Sequence, residues 1–290
     1  MPAPTPLLPA FALTFNAFVW GVSWWPFRRL EGAGVHPLLA TVLVYAFAVL
    51  VIGVLRRGAW RDVLCTPALW VVALASGATN ASFNWGVTIG DVVRVVLLFY
   101  LMPLWAVLLA RVLLGERFTA AAGMRVGIAL AGAAIVLWPP GGGWPLPRDA
   151  AEALGVAGGF SFALNNVMLR REARRTDAAR ALAMFAGGVV VAGLAAAALM
   201  ANGAVAPLPV PAPGWVAGAA ALAGLFLLSN LALQYGATRL PANATAVIMT
   251  TEVLFATASA LALDGGRLTP QVAGGGALIV AAALLAAWRR

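Results

Sequence analysis

The chain has 290 residues, of which 62% are hydrophobic and only 10% charged, and its mean hydropathy is +0.92. A soluble domain carries about 45–50% apolar and about 25% charged residues, so this composition excludes a water-facing globule. The net charge is +9 and every basic residue is arginine. The arginines sit in short clusters between apolar runs, which reads as membrane topology signalling rather than a nucleic-acid surface.

A helix that crosses a bilayer needs about 20 mostly apolar residues. Ten such spans are predicted, at 8–27, 36–55, 68–89, 92–114, 120–138, 151–170, 180–200, 214–237, 242–263 and 269–288. The expected fold is therefore an all-α integral membrane protein. The N-terminus lacks a basic n-region and an A-x-A site, so the stretch from Leu8 reads as a retained span rather than a signal peptide. Turn-rich segments such as "RRGAWRD", "GERFT", "PPGGGWPLPRD", "RREARRTDAAR" and "LDGGRLT" separate the spans, and only "IGD" divides the third from the fourth. Cys65 has no cysteine to pair with and His36 stands alone, so neither disulfide nor metal chemistry is indicated.

Span one carries Asn16, Ser23 and three tryptophans. Trp25 and Pro26 fit an aromatic belt near the surface. Trp20 and Trp24, four residues apart and deeper, either receive an apolar ligand or pack in the core. Asn80 and Asn84 share one face of span three, and Asn230 and Gln234 repeat that arrangement in span eight. Such amides either line a polar cavity or join helices by hydrogen bonds. Span four holds "FYLMPLW", in which Pro103 permits a kink that could serve as a hinge and frees a carbonyl near Phe99. Tyr100 adds a hydroxyl there, and Arg94 either holds a carboxylate or extends to the interface beside Asp91. Span six offers Ser161, Asn165 and Asn166. Glu252 is the mid-span carboxylate, and three roles stay open for it: protonated and silent, binding an ammonium group, or carrying a coupling proton. Spans five and ten, with Gly123, Gly127 and Gly274–Gly276, read as close-packing helices.

The chain repeats itself at an offset of 150 residues. Gly115, Arg117, Thr119 and Trp138 correspond to Gly265, Arg267, Thr269 and Trp288, while Asn80, Asn84, Gly86 and Thr88 correspond to Asn230, Gln234, Gly236 and Thr238. Near the start, "WGVSWWPFRR" matches "FALNNVMLRR" at an offset of 142. Five spans per repeat is an odd number, so the second half, 143–290, is expected upside down relative to the first, 1–142. With both termini cytoplasmic, fourteen of the nineteen arginines fall on the inside. Inverted repeats of this kind mark transporters, with the substrate site near the midplane between the halves.

The "GERFT" and "GGRLT" phrases opening the last helix of each half, and "TTEVLFATASALAL" before the second, resemble the EamA-type repeat of the drug/metabolite transporter superfamily. Val253 stands where a proline often follows the glutamate, and Gly266 replaces the acidic residue that Glu116 supplies. "FYLMPLW" and the tryptophan-rich first span are most similar to bacterial aromatic amino acid exporters of the YddG type. The resemblance implies a multi-pass bacterial inner-membrane exporter of aromatic and other neutral amino acids, working by alternating access around a central cavity. Trp20, Trp24 and Tyr100 would take the side chain, and Asn80, Asn84 and Gln234 the zwitterionic end, with Glu252 near the ammonium and Asn165 a further substrate-binding candidate. Proton-coupled efflux of cationic drugs or another metabolite is the alternative. No enzyme is expected, because no nucleophile, aspartate pair or Cys/His set is visible. No cofactor, metal or nucleic-acid partner is expected either. The partners are a small-molecule substrate and the lipid bilayer, and the oligomeric state stays open, a monomer being compatible with the sequence.

Overall fold

The structure, a computed structural model, describes residues 7–115, 119–139, 141–142, 144–237, 239–240, 248–249, 251–263 and 268–288. Glu116, Arg117, Thr250, Gly265, Gly266, Arg267 and the start of the ninth predicted span lie outside the described residues, as do the side chains of Pro103 and Gln234. Among the described residues there are helices and no strands. They are α1 (Leu7–Val22), α2 (Trp24–Gly32), α3 (Pro37–Leu55), α4 (Gly58–Leu64), α5 (Pro67–Ile89), α6 (Val92–Phe99) and α7 (Met102–Leu114) in the first half. Then come α8 (Ala120–Leu137), α9 (Ala150–Arg171), α10 (Asp177–Ala201), α11 (Pro213–Ala237), α12 (Thr251–Leu263) and α13 (Pro270–Trp288).

Among the described residues six helices, counting α1–α2 and α6–α7 as one each, are long and apolar enough to cross a membrane, and seven if the bent α4–α5 pair is added. The chain is thus a multi-pass membrane protein. The 22-residue α9 falls outside that set because Ser161, Asn165, Asn166 and its terminal charges dilute its hydropathy. "RRGAWRD", expected as a turn, instead contributes to α4, which meets α5 at 95°. The bend carries α4 out of line with α5, and its Trp60 and Arg61 are residue types that suit a membrane interface.

The repeated phrase has a local purpose. Gly115 takes φ +69° and ends α7 in the left-handed region, where a side chain would be strained. Thr119 then accepts a hydrogen bond from Ala122 N (3.2 Å) and caps α8, while Thr269 accepts one from Val272 N (3.2 Å) and caps α13. Asp91, Asp149 and Thr176 cap α6, α9 and α10 in the same way.

Small residues let the helices approach closely. A Cβ on Gly132 would stand 2.6 Å from the Gly275 carbonyl, and one on Gly187 would stand 1.9 Å from that of Ala73. Lipid tails supply no hydrophobic drive between helices, so this close packing holds them together. Gly132 faces Gly275 while the later Ile135 faces the earlier Gln271, so α8 and α13 run antiparallel. Tyr45 meets Gly188 and Val42 meets Gly193, so α3 and α10 do too. Large apolar side chains such as Phe11, Leu50, Leu74 and Leu194 point outward, as lipid-facing surfaces require.

Candidate functional site

The α6–α7 span is interrupted at Tyr100 and Leu101. Leu101 N donates to Leu98 O (3.1 Å), a tightened turn that ends α6, and α7 starts with Pro103 in its first turn, where a missing N–H costs nothing. The Phe99 carbonyl at this break is not left open. A Cβ on Gly159 would stand 2.4 Å from that oxygen, so α9 covers it.

The break turns Tyr100 toward α12. Its hydroxyl sits 3.2 Å from Glu252 Oε2 and 3.3 Å from the Met249 carbonyl, between which its one proton is shared. Tyr100 is 2% exposed and Glu252 9%. Among the described residues the Glu252 carboxylate meets this phenol and no cation. The two residues occupy nearly corresponding places in the halves: an offset of 150 maps 100 to 250 and 102 to 252.

Aromatic rings surround this contact. Trp24 is buried and donates its indole N–H to Ser259 Oγ at 2.9 Å, with the Arg28 guanidinium 4.9 Å from its ring centroid. Trp20 packs edge-on against Phe83 (6.1 Å) and Phe226 (4.8 Å), and Phe99 joins Phe83 (4.9 Å) to Tyr100 (6.2 Å). Edge-to-face pairs of this kind add stability beyond their area. Trp20 and Trp24 are therefore engaged with other protein groups here. Trp25 is exposed beneath Arg29.

The amides divide into spent and unspent. Asn80 accepts from the Tyr45 hydroxyl (2.7 Å), which joins α5 to α3, and donates to the Ser76 carbonyl (2.8 Å) of its own helix, so both its ends are used. Asn84 donates to Thr41 Oγ1 (3.0 Å), whose own proton goes to Pro37 O (2.8 Å), so the amide orientation is fixed with Oδ1 left over. Asn16 donates to the carbonyl and hydroxyl of Ser229, at 2.9 and 2.6 Å, joining α1 to α11. The Oδ1 atoms of Asn16, Asn84 and Asn165 are buried without a partner among the described residues. An unpaired buried acceptor costs about 1–3 kcal/mol, so these oxygens call for a donor. Asn166 is exposed.

Of the two roles open to Arg94, it takes the carboxylate-holding one, and the carboxylate is the protein's own. Asp91 accepts its backbone N–H (3.0 Å), and its Nε reaches Glu152 Oε1 at 2.6 Å, tying α6 to α9. Glu152 Oε2 also accepts from Arg148 N (2.9 Å). Sequence reading missed Glu152, Ser259, Thr41 and Tyr45. Ser259 lies seven residues after Glu252 and so on the same helix face, a spacing that could have flagged it. Among the described residues no group of three or more His, Cys, Asp or Glu side chains could share a metal ion.

Residues 7–138 match the model of the EamA-like transporter family. Fifteen chains of solved structures match as well. One of them, the crystal structure of a protein, is 21% identical over 96% of this chain and 96% of its own, with a TM-score of 0.59, a likeness of fold. No curated protein matches the chain.

Proposed function

We propose that the whole chain is an EamA-type transporter of ten spans, built as two inverted five-span repeats, which exports amino acids by alternating access. The family match over 7–138 supports the first half. The packing supports the second. Exchanging the halves maps span one onto six, two onto seven, three onto eight, four onto nine and five onto ten. The observed contacts of span one with eight and nine then become those of six with three and four, all of which occur. The self-equivalent pairs α3·α10 and α8·α13 run antiparallel, as an inverted repeat demands.

The observation that carries the transport reading is the Tyr100–Glu252 contact between corresponding places of the two halves. A site there lies on the pseudo-symmetry axis and is equally near both faces, the place an alternating-access carrier needs. Glu252 and the spare oxygens of Asn84 and Asn165 are acceptors, suited to a substrate ammonium. Trp20, Phe83 and Phe99 suit an apolar or aromatic side chain, once the rings part. Together these favour a neutral, preferably aromatic, amino acid. Gln234 as a zwitterion contact and Pro103 as a hinge are part of the same proposal, made from the sequence alone. The arginine distribution favours a bacterial inner membrane with both termini cytoplasmic.

The test is counterflow in proteoliposomes preloaded with unlabelled tryptophan and given labelled tryptophan outside. Saturable uptake without an ion gradient is expected; no exchange of tryptophan or phenylalanine would overturn the substrate class. A second reading, proton-coupled efflux of cationic compounds, is favoured by a buried carboxylate that lacks a cationic partner among the described residues. It predicts that exchange requires an imposed pH gradient.

A further inference from the structure

Beside the transport path, the lipid-facing side of the molecule carries a groove between α3, α4 and α10. Its volume is about 350 Å³ and its walls are Val49, Leu50, Gly53, Val54, Trp60 and Val189. Leu50 and Val54 are 63% and 56% exposed, so the groove opens sideways toward the bilayer rather than into the protein. The Trp60 indole rests on Gly53, where a Cβ would stand 2.7 Å from its Nε1. That N–H makes no hydrogen bond among the described residues.

The groove ends where the chain turns from α3 into α4. Arg56 and Arg57 form that turn and Arg61 follows Trp60, all three exposed. Among the described residues their side chains make no ion pair or hydrogen bond, and the half-buried Asp62 is the acid beside them. An apolar slot thus ends at three exposed guanidinium groups with one acid beside them, and an indole N–H lies between, the order in which a bilayer presents hydrocarbon and headgroups. Guanidinium groups hold phosphate oxygens in pairs, and indoles favour the headgroup layer.

We infer that this groove is a binding site for an anionic glycerophospholipid. One acyl chain lies along Val49, Gly53 and Val189, and the phosphate sits on Arg56, Arg57 and Arg61. A zwitterionic lipid brings its own cation toward the same three arginines and is disfavoured. The inference rests on the membrane placement of the chain and not on its transport activity, so the two fail separately.

Native mass spectrometry of the full chain in neutral detergent, titrated with dioleoylphosphatidylglycerol or dioleoylphosphatidylcholine, reads the site directly. Each arginine near an anionic headgroup is worth about fivefold in affinity, so a preference of at least about tenfold for phosphatidylglycerol is expected. Arg56→Gln with Arg57→Gln and Arg61→Gln should abolish the preference, while the matching triple lysine variant should keep it within about threefold. Gln at Arg171, Arg174 and Arg175, an exposed cluster at the α9–α10 turn whose residues do not line the groove, should leave it unchanged. Ala46 also lines the slot, and Ala46→Phe, which fills it, should weaken binding of both lipids. Equal binding of the two lipids by the native chain would overturn the proposal, as would equal loss in the two glutamine triples. If the first triple does not fold, the lysine triple and Ala46→Phe decide: native-like binding by Ala46→Phe overturns the site.

Discussion

Glu152 and Glu252 are both buried carboxylates that touch the first half of the chain from the second, and both meet the α6–α7 span. Glu152 lies at the end of α9 and receives the Arg94 side chain at 2.6 Å and the Arg148 backbone N–H at 2.9 Å. Glu252 lies within the apolar core and receives a phenol at 3.2 Å. The first has its charge matched and its oxygens occupied, as a joint does. The second keeps hydrogen-bonding capacity in reserve where desolvation makes every unmet contact expensive. A group held in that condition suits a transient partner such as a substrate ammonium.

The comparison breaks hardest at the joint. Arg94→Ala leaves Glu152 buried without its cation and should cost about 3–5 kcal/mol, read as a lower thermal unfolding midpoint in detergent. Adding Glu152→Ala should recover part of that loss. If the single and double variants unfold together, the pair does not hold α6 to α9.

Glu252→Gln should do the reverse. The amide preserves size and a neutral contact with Tyr100, so the unfolding midpoint should stay close to that of the native chain. Substrate exchange should fall roughly ten- to a hundredfold, the worth of a hydrogen bond to a charged group. Undiminished exchange would make Glu252 silent. Exchange that survives only without a gradient dependence would point to the proton-coupled reading.

Tyr45→Phe is a smaller test of the spent amides. It strips Asn80 Oδ1 of its donor between α3 and α5, at about 1 kcal/mol of stability with little change in exchange. A large loss of exchange would move Asn80 from joint to site.

The smallest expected effect is at His36, which caps α3 from just before its first residue. Its Nδ1 accepts from Leu38 N at 3.2 Å at the start of α3, and burial pushes its pKa below the usual histidine value. The folded state therefore binds a proton less readily than the unfolded chain. The contribution is fully present above about pH 6.5 and is lost as pH falls through the lowered folded value. His36→Asn, which caps without titrating, should flatten that part of the stability–pH curve.

The helical membrane class, the punctuation of spans and the identity of the odd polar residues were legible in the sequence, because each follows from local chemistry. Apolar runs must become helices in lipid, since backbone groups there have no other partner. Threonines before apolar runs cap them, and a lone carboxylate among apolar residues announces itself. What the residues touch was decided only by tertiary packing. Span spacing does not say that Asn80 turns to Tyr45, that Trp24 finds Ser259, that Arg94 passes Asp91 for Glu152, or that Gly159 closes over the Phe99 carbonyl. Each of those contacts joins helices distant in sequence, and the rotation of one helix against another depends on where glycines let backbones meet. Periodicity marks the face of a helix; only the assembled bundle determines what that face meets.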